Sequence, residues 1–121
     1  MDLRHAPRPG QVVTAFTELD GTLAALADPH RRRVVDLLAE RPQPAGALAA
    51  AIGLTPPAMS RHLRVLRRSG LVREQSHADD ARVRVYSLRP EPFVHLNDWL
   101  DDVRQFWTGQ LEAFKDHVES K

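Results

Sequence analysis

The chain has 121 residues, 42% of them hydrophobic and 27% charged, with a formal net charge of +1; that size and balance fit one soluble globular domain with a modest core. It has no cysteine, which excludes disulfides, thiolate metal sites and thiol-based redox sensing. No apolar run approaches membrane-spanning length and the N-terminus lacks the apolar core of a secretion signal, so the expected location is cytoplasmic, with no membrane partner.

Residues 1–11 (MDLRHAPRPGQ) combine two prolines and a glycine with no apolar period and read as a disordered tail. A single domain is expected over 12–118. Helix 1 runs from about Val12 to Ala27, because Val12, Phe16, Leu19, Leu23 and Leu26 recur at spacings of 4, 3, 4 and 3 and so share one face. Asp28-Pro29 is a start signal, with Asp as N-cap and Pro at the first helical position. Helix 2 then covers about Pro29 to Glu40, with Val34, Val35, Leu37 and Leu38 inward. Pro42 and Pro44 break the chain, and helix 3 spans about Ala45 to Ile52 with Leu48 and Ile52 inward.

A short turn at Gly53 leads to helix 4, capped by Thr55 and opened by Pro56. Met59, Leu63 and Leu66 form its inward stripe, which leaves Ser60, Arg61, Arg64, Arg67 and Arg68 pointing elsewhere. Ser69-Gly70 ends it, with Gly supplying a left-handed C-cap. Two short helices joined by a tight glycine-containing turn, the second one basic, have the form of a DNA-binding helix-turn-helix. The major groove admits one helix, and arginine supplies both phosphate contacts and bidentate guanine contacts.

LVREQS and RVRVYSL follow, separated by the loop HADDA. Val83, Val85 and Tyr86 show strand alternation, so a two-stranded β wing is expected in an otherwise mainly α fold. Pro90-Glu91-Pro92 closes the wing. The last helix is expected from about Phe93 to Val118, inside a C-terminal dimerisation segment at 89–118. Leu96, Leu100, Val103, Trp107, Leu111, Phe114 and Val118 make one stripe, and Trp99 and Phe106 lie beside it. Together with helix 1 this is more apolar surface than one small domain covers. A homodimer is the expectation, with Phe16, Leu19, Leu23, Leu96, Trp99, Val103, Phe106, Trp107, Leu111 and Phe114 at its interface. The alternative is a monomer in which helix 1 simply packs on the last helix.

The small net charge hides a dipole. Residues 55–89 hold eight arginines against three acids, a net of +5, while residues 90–121 hold three bases against seven acids, a net of −4. The positive charge therefore sits on the expected DNA reader, which points to nucleic acid more than the total does.

The span LADPHRRRVVDLLAERPQPAGALAAAIGLTPPAMSRHLRVLRRSGLVREQ resembles the ArsR-type winged helix-turn-helix repressors. The resemblance lies in the opening L-A-D-P-x-R-R-R, the central x-x-L-A-x-x-x-G-L-T and the closing x-S-R-H-L-x-x-L-x-x-x-G-L-V. With the wing and the long final helix it covers residues 12–118. The chain looks most like the subgroup without metal sites, whose final helix carries a Phe-Trp pair, here Phe106-Trp107. The resemblance implies a homodimeric repressor that binds a palindromic operator in double-stranded DNA. Pro44 and Gly46 stand where metal-sensing members place two cysteines, and neither ligates a metal. The family's Asp-x-His spacing in the last helix is absent, Asp116 and His117 being adjacent. His95, Asp98 and Asp102 share a helix face and read as solvated groups. No cofactor and no metal are therefore expected, and zinc or other divalent metals are not expected to control DNA binding. The wing sequence Asp79-Asp80-x-Arg82 is similar to that of MarR-type regulators, which keeps a MarR-like, small-molecule-responsive regulator as an alternative.

Roles on DNA follow from position. Ser60 and Arg61 lie one turn into helix 4, where recognition helices meet base edges. Pro56 and Pro57 suit thymine methyls. Thr55 either caps the helix or reaches a phosphate. Arg64 and Arg68 suit phosphates. His62 belongs either to the DNA face or to a half-buried, hydrogen-bonded position. Arg82 and Arg84 on the wing are expected to meet the backbone or the minor groove, with Asp80 orienting Arg82. Arg31 or Arg32 either reaches phosphate or pairs within the fold, with Asp28 and Asp36 in range. A winged helix used only for protein assembly is a second function class, but so many arginines on helix 4 are unlike an apolar protein interface. An enzyme is excluded by the lack of any assignable catalytic set. Whether an effector exists is open; Trp99, Phe106 and Trp107 are read as dimer core rather than as a ligand box.

Overall fold

The computed structural model describes residues 9–77 and 79–120, with side chains from Glu18 onward. Five helices and three strands follow in the order α1 (Pro9–Leu26), α2 (Pro29–Glu40), β1 (Gln43–Pro44), α3 (Ala45–Ile52), α4 (Pro56–Arg68), β2 (Val72–Ser76), β3 (Arg84–Leu88) and α5 (Pro90–Glu119). Helices α2, α3 and α4 match the expected spans. Helix α1 begins at Pro9, three residues before the expected Val12; proline fits a first helical turn because its missing N–H would be unpaired there in any case. Residues 1–8 of the expected tail lie outside the described residues, as does the Phe16 side chain.

Local chemistry sets the helix ends. Asp28 caps α2, its Oδ1 accepting from the backbone N–H of His30 at 2.8 Å and of Arg31 at 3.1 Å, with Pro29 in the first turn. Helix α3 ends at Gly53, whose φ of +82° is the left-handed region that glycine enters without a Cβ penalty. Helix α4 ends the same way at Gly70, with φ +76°, and the N–H of Leu71 reaches back to the Leu66 carbonyl at 3.0 Å, closing the last turn.

The inward stripes meet in one core. Val34 of α2, Leu48 of α3, Met59, Leu63 and Leu66 of α4 and Leu71 are at most 1% exposed. Ala25 of α1, Leu38, Ala49 and Val72 complete this cluster. Val35 and Leu37, expected inward, are only half-buried, because Val34 and Leu38, four apart, take the core-facing line of α2.

The strands form one antiparallel sheet in the order β1-β3-β2, one strand more than the two-stranded wing expected. The third is two residues long, pairing Gln43 with Tyr86 and Pro44 with Val85. Two residues cannot display a period, so nothing in the pattern announces β1. Pro44 is tolerated because the strand is at the sheet edge. Gln43 is buried, and its Nε2 donates to the Leu37 carbonyl at 2.8 Å, tying the end of α2 to the sheet.

Helix α5 begins at Pro90, earlier than the expected Phe93, and runs for 30 residues. Both Pro90 and Pro92 fall in its first turn, where no N–H has an intrahelical partner. Helix α1 packs against it, yet none of its residues is buried.

Candidate nucleic-acid interface

Helices α3 and α4 are joined by the three residues Gly53, Leu54 and Thr55. The N–H groups of Gly53 and Leu54 both reach the Ala49 carbonyl, at 2.8 and 3.0 Å. Thr55 then caps α4, its Oγ1 accepting from the Ala58 N–H at 3.3 Å, so the capping role is the one its side chain fills. Burial of Met59, Leu63 and Leu66 fixes the rotation of α4 about its axis, and that rotation turns Ser60, Arg61, Arg64 and Arg68 to solvent. Pro56 and Pro57 are exposed at its N-terminal end.

Most of the charge on this face has no protein partner among the described residues. Among the described residues no side-chain hydrogen bond or ion pair engages Arg61, Arg64 or Arg68, and Arg64, Arg67 and Arg68 line one shallow concavity. Arg67 differs: its Nη1 donates to Glu74 Oε2 at 2.8 Å, linking the helix to strand β2. The Arg84 guanidinium approaches the same carboxylate at 3.7 Å and donates to Ser76 Oγ at 3.1 Å. Glu74 thus joins helix and wing, a role the sequence did not disclose. Partial burial, followed by the Glu74 carboxylate, holds the Tyr86 hydroxyl above its usual range, so Tyr86 stays neutral beside this cluster.

At the wing tip, Asp80 Oδ1 accepts from the Arg82 backbone N–H at 3.0 Å and from its Nε at 3.2 Å. The Arg82 side chain is 92% exposed. Asp80 therefore orients Arg82, as expected from repulsion between its carboxylate and phosphate. The Arg82 guanidinium, being the larger cause, and its backbone N–H hold the Asp80 carboxyl below its usual range.

Three side chains with open alternatives turn into the protein. Arg31 donates from Nε to the Ala25 carbonyl at 2.6 Å and from Nη2 to the Ala24 carbonyl at 3.5 Å. Arg32 reaches the carbonyls of Leu26 and Ala27 at 2.8 and 3.2 Å. Both arginines thus satisfy the open carbonyls at the C-terminus of α1, where cations are also favoured by the helix dipole. These partners differ from the Asp28 and Asp36 that sequence proximity suggests. His62 is half-buried, with Nδ1 at 3.3 Å from Arg31 Nη1 and 3.9 Å from Asp28 Oδ1. Of the residues expected on DNA from the sequence, it is the one aimed back into the fold. The fold also brings His30 against it, with ring centroids 5.6 Å apart; two residues so far apart in the chain give no sequence signal for such a meeting.

The residues expected at a dimer interface divide by depth. Leu19, Leu96 and Val103 are half-buried. Leu23 and Trp99 are each 38% exposed, and Phe106, Trp107, Leu111 and Phe114 are 57–67% exposed. Phe106 and Trp107 stack edge to face with centroids 5.7 Å apart. Among the described residues no helix is long and apolar enough to cross a membrane.

Comparison with known proteins agrees with this geometry. A family model described as a helix-turn-helix domain matches residues 26–75, from the end of α1 into β2. The HTH-type transcriptional regulator Rv2034 of Mycobacterium tuberculosis is 33% identical over 109 residues, 90% of this chain and 96% of that protein. Among solved structures, the ArsR family transcriptional regulator RHA00566 is 32% identical with a TM-score of 0.65, over 76% of this chain and 92% of that one. An ArsR-like transcriptional regulator from Rhodococcus sp. RHA1 is 26% identical with a TM-score of 0.69, over 90% of this chain and 97% of that one. With a basic recognition helix held by a closed core, a hairpin wing and whole-length similarity to such regulators, the chain belongs to the ArsR-type winged helix-turn-helix transcriptional regulators.

Proposed function

We propose that the protein is a cytoplasmic repressor that binds an inverted-repeat operator in double-stranded DNA as a homodimer. The observation that carries this reading is the outward face of α4, where Ser60, Arg61, Arg64 and Arg68 are exposed beside Pro56 and Pro57. Ser60 and Arg61 are assigned to base edges, because they lie one turn from the N-terminus of α4. Arg64 and Arg68 are assigned to phosphates, with Thr55 holding the start of the helix. Arg82 and Arg84 are assigned to the backbone flanking the half-site. His62 is left out of this surface, since its ring is engaged by Arg31.

The homodimer is supported by α5. Trp99, Phe106, Trp107, Leu111 and Phe114 of α5 and Leu23 of α1 are exposed, beside half-buried Leu96, Val103 and Leu19, and no residue of α5 is fully buried within its own chain. Exposed apolar area of that extent marks an interface. A second copy related by a two-fold axis covers it with itself.

The test is selection of bound duplexes from a random pool, followed by shift assays. An inverted repeat with half-site centres about one helical turn, roughly 34 Å, apart is expected. Arg61→Ala should lose about 1–3 kcal/mol on the selected site and relax one base position per half-site. Arg84→Ala should weaken specific and random DNA alike, and lower the slope of affinity against salt by about one for each phosphate no longer neutralised. Equal weakening of both DNAs by Arg61→Ala would move base reading to Ser60, Pro57 or Arg64.

A further inference from the structure

We propose that Asp28, His30 and His62 form a binding site for a divalent late transition metal of the zinc type, clamping the start of α2 to the recognition helix α4. The three side chains each offer one ligand atom, and these atoms all lie within 4.8 Å of one another. They come from two elements distant in the chain, so the grouping is made by tertiary packing and not by helical spacing. It lies outside the DNA face, and it uses neither the positions of Pro44 and Gly46 nor any residue of α5.

Asp28 and His30 have spare ligating capacity, and His62 gains it when Arg31 turns away. Both hydrogen bonds that Asp28 accepts in capping α2 fall on Oδ1, leaving Oδ2 for a cation. The cap also fixes the carboxylate, so ordering it costs little. The His30 side chain is exposed and free to rotate, and its ring already stands edge to face against His62. His62 Nδ1 faces the Arg31 guanidinium at 3.3 Å and Asp28 at 3.9 Å; with Arg31 turned away, the tautomer that carries its proton on Nε2 offers the Nδ1 lone pair to a cation. Ligands on one tetrahedral zinc, with bonds of about 2.0–2.2 Å, stand roughly 3.4 Å apart. Closing the cluster from 4.8 Å to that size requires the His30 and His62 rings and the Arg31 guanidinium to move.

Two features oppose a cation here and decide its class. The N-terminal end of α2 carries partial positive charge, and Arg31 Nη1 must release His62, while its Nε keeps the Ala25 carbonyl. A calcium or magnesium ion relies on several oxygen ligands, and this cluster offers one carboxylate. Zinc, nickel, cobalt and copper gain from imidazole donation itself. Two imidazoles and one carboxylate make an open site, with water completing the shell.

Tag-free protein stripped with a chelator and titrated with cobalt(II), then zinc(II), tests this. About one cobalt per chain is expected, giving a visible ligand-field band that is lost when zinc takes the same tetrahedral site. His30→Ala should weaken binding about tenfold or more while leaving the helical circular dichroism unchanged, because the exposed imidazole takes no part in the cap. His62→Gln should weaken it likewise. His95→Ala and His117→Ala should bind as the parent does. No saturable binding at micromolar metal, parent-like binding by His30→Ala, or loss of binding in His95→Ala or His117→Ala would each overturn the proposal.

Discussion

The two halves of the molecule use their apolar residues in opposite ways. In α2, α3, α4 and the sheet, Val34, Leu48, Met59, Leu63, Leu66 and Leu71 are all but removed from solvent. In α5, a longer element than any of these, Phe106, Trp107, Leu111 and Phe114 stay more than half exposed. Both regions carry apolar residues at helical spacing, so periodicity alone does not separate them. What separates them is whether the chain folds back to cover the stripe. The DNA-reading half closes its own core. The terminal helix packs on α1 along one face and leaves its second face exposed within the single chain.

The sharpest way to test that contrast is Trp107→Ala. If the α5 face is an interface between two copies, the change should cost about 3–5 kcal/mol, read by sedimentation as a fall in the dimer fraction at micromolar concentration. If Trp107 faces water in solution as it does in the single chain, the cost should stay within about 0.5 kcal/mol and the dimer reading fails. Leu66→Ala addresses the other half. That side chain is 0% exposed, so truncation should lower unfolding stability by about 2–5 kcal/mol, measured as a shift of the urea midpoint. A decrease much smaller than this would mean that the core of the DNA-reading half is not closed.

A smaller effect probes how α2 is seated between the two regions. Asp28→Ala should cost about 1 kcal/mol through removal of the cap, whereas Asp28→Asn should keep most of it. Partial burial pushes the Asp28 carboxyl upward, but the N–H groups of Arg31 and His30 and the charges of His62 and Arg31 outweigh it, and the net shift is downward. A carboxyl depressed in the folded state stabilises above its unfolded value of about 3.9 and loses that contribution as pH falls through the folded value. The gap in urea midpoint between the parent and Asp28→Asn should therefore be present near neutral pH and shrink in strong acid. A gap that widens in acid would contradict the sign.

Much of the DNA-reading half is legible in the sequence. Asp28-Pro29, Thr55-Pro56 and Ser69-Gly70 mark helix ends through local hydrogen bonding and fixed φ, which need no distant partner. The stripe Met59, Leu63, Leu66 sets which arginines face out. The rest is hidden because it depends on residues far apart in the chain. β1 is too short to carry a pattern and exists because β3 offers it an edge. Arg31 and Arg32 sit in an arginine run that reads equally well as phosphate ligands, until the end of α1 presents its open carbonyls. Glu74 reads as one acid in a strand, and only the fold sets it between Arg67 and Arg84.

The sequence by itself determined the helix-turn-helix, its rotation toward solvent and the position of the wing, because caps, turns and amphipathic period act over a few residues. The tertiary structure decided which cations remain free. It draws Arg31, Arg32 and Arg67 into carbonyl and carboxylate contacts and leaves Arg61, Arg64 and Arg68 without such partners among the described residues. It also decided that Asp28, His30 and His62 meet at all. Pairing of this kind is set by the packing of whole elements, and a charged side chain is committed only when an opposite or accepting group is brought within about 4 Å of it.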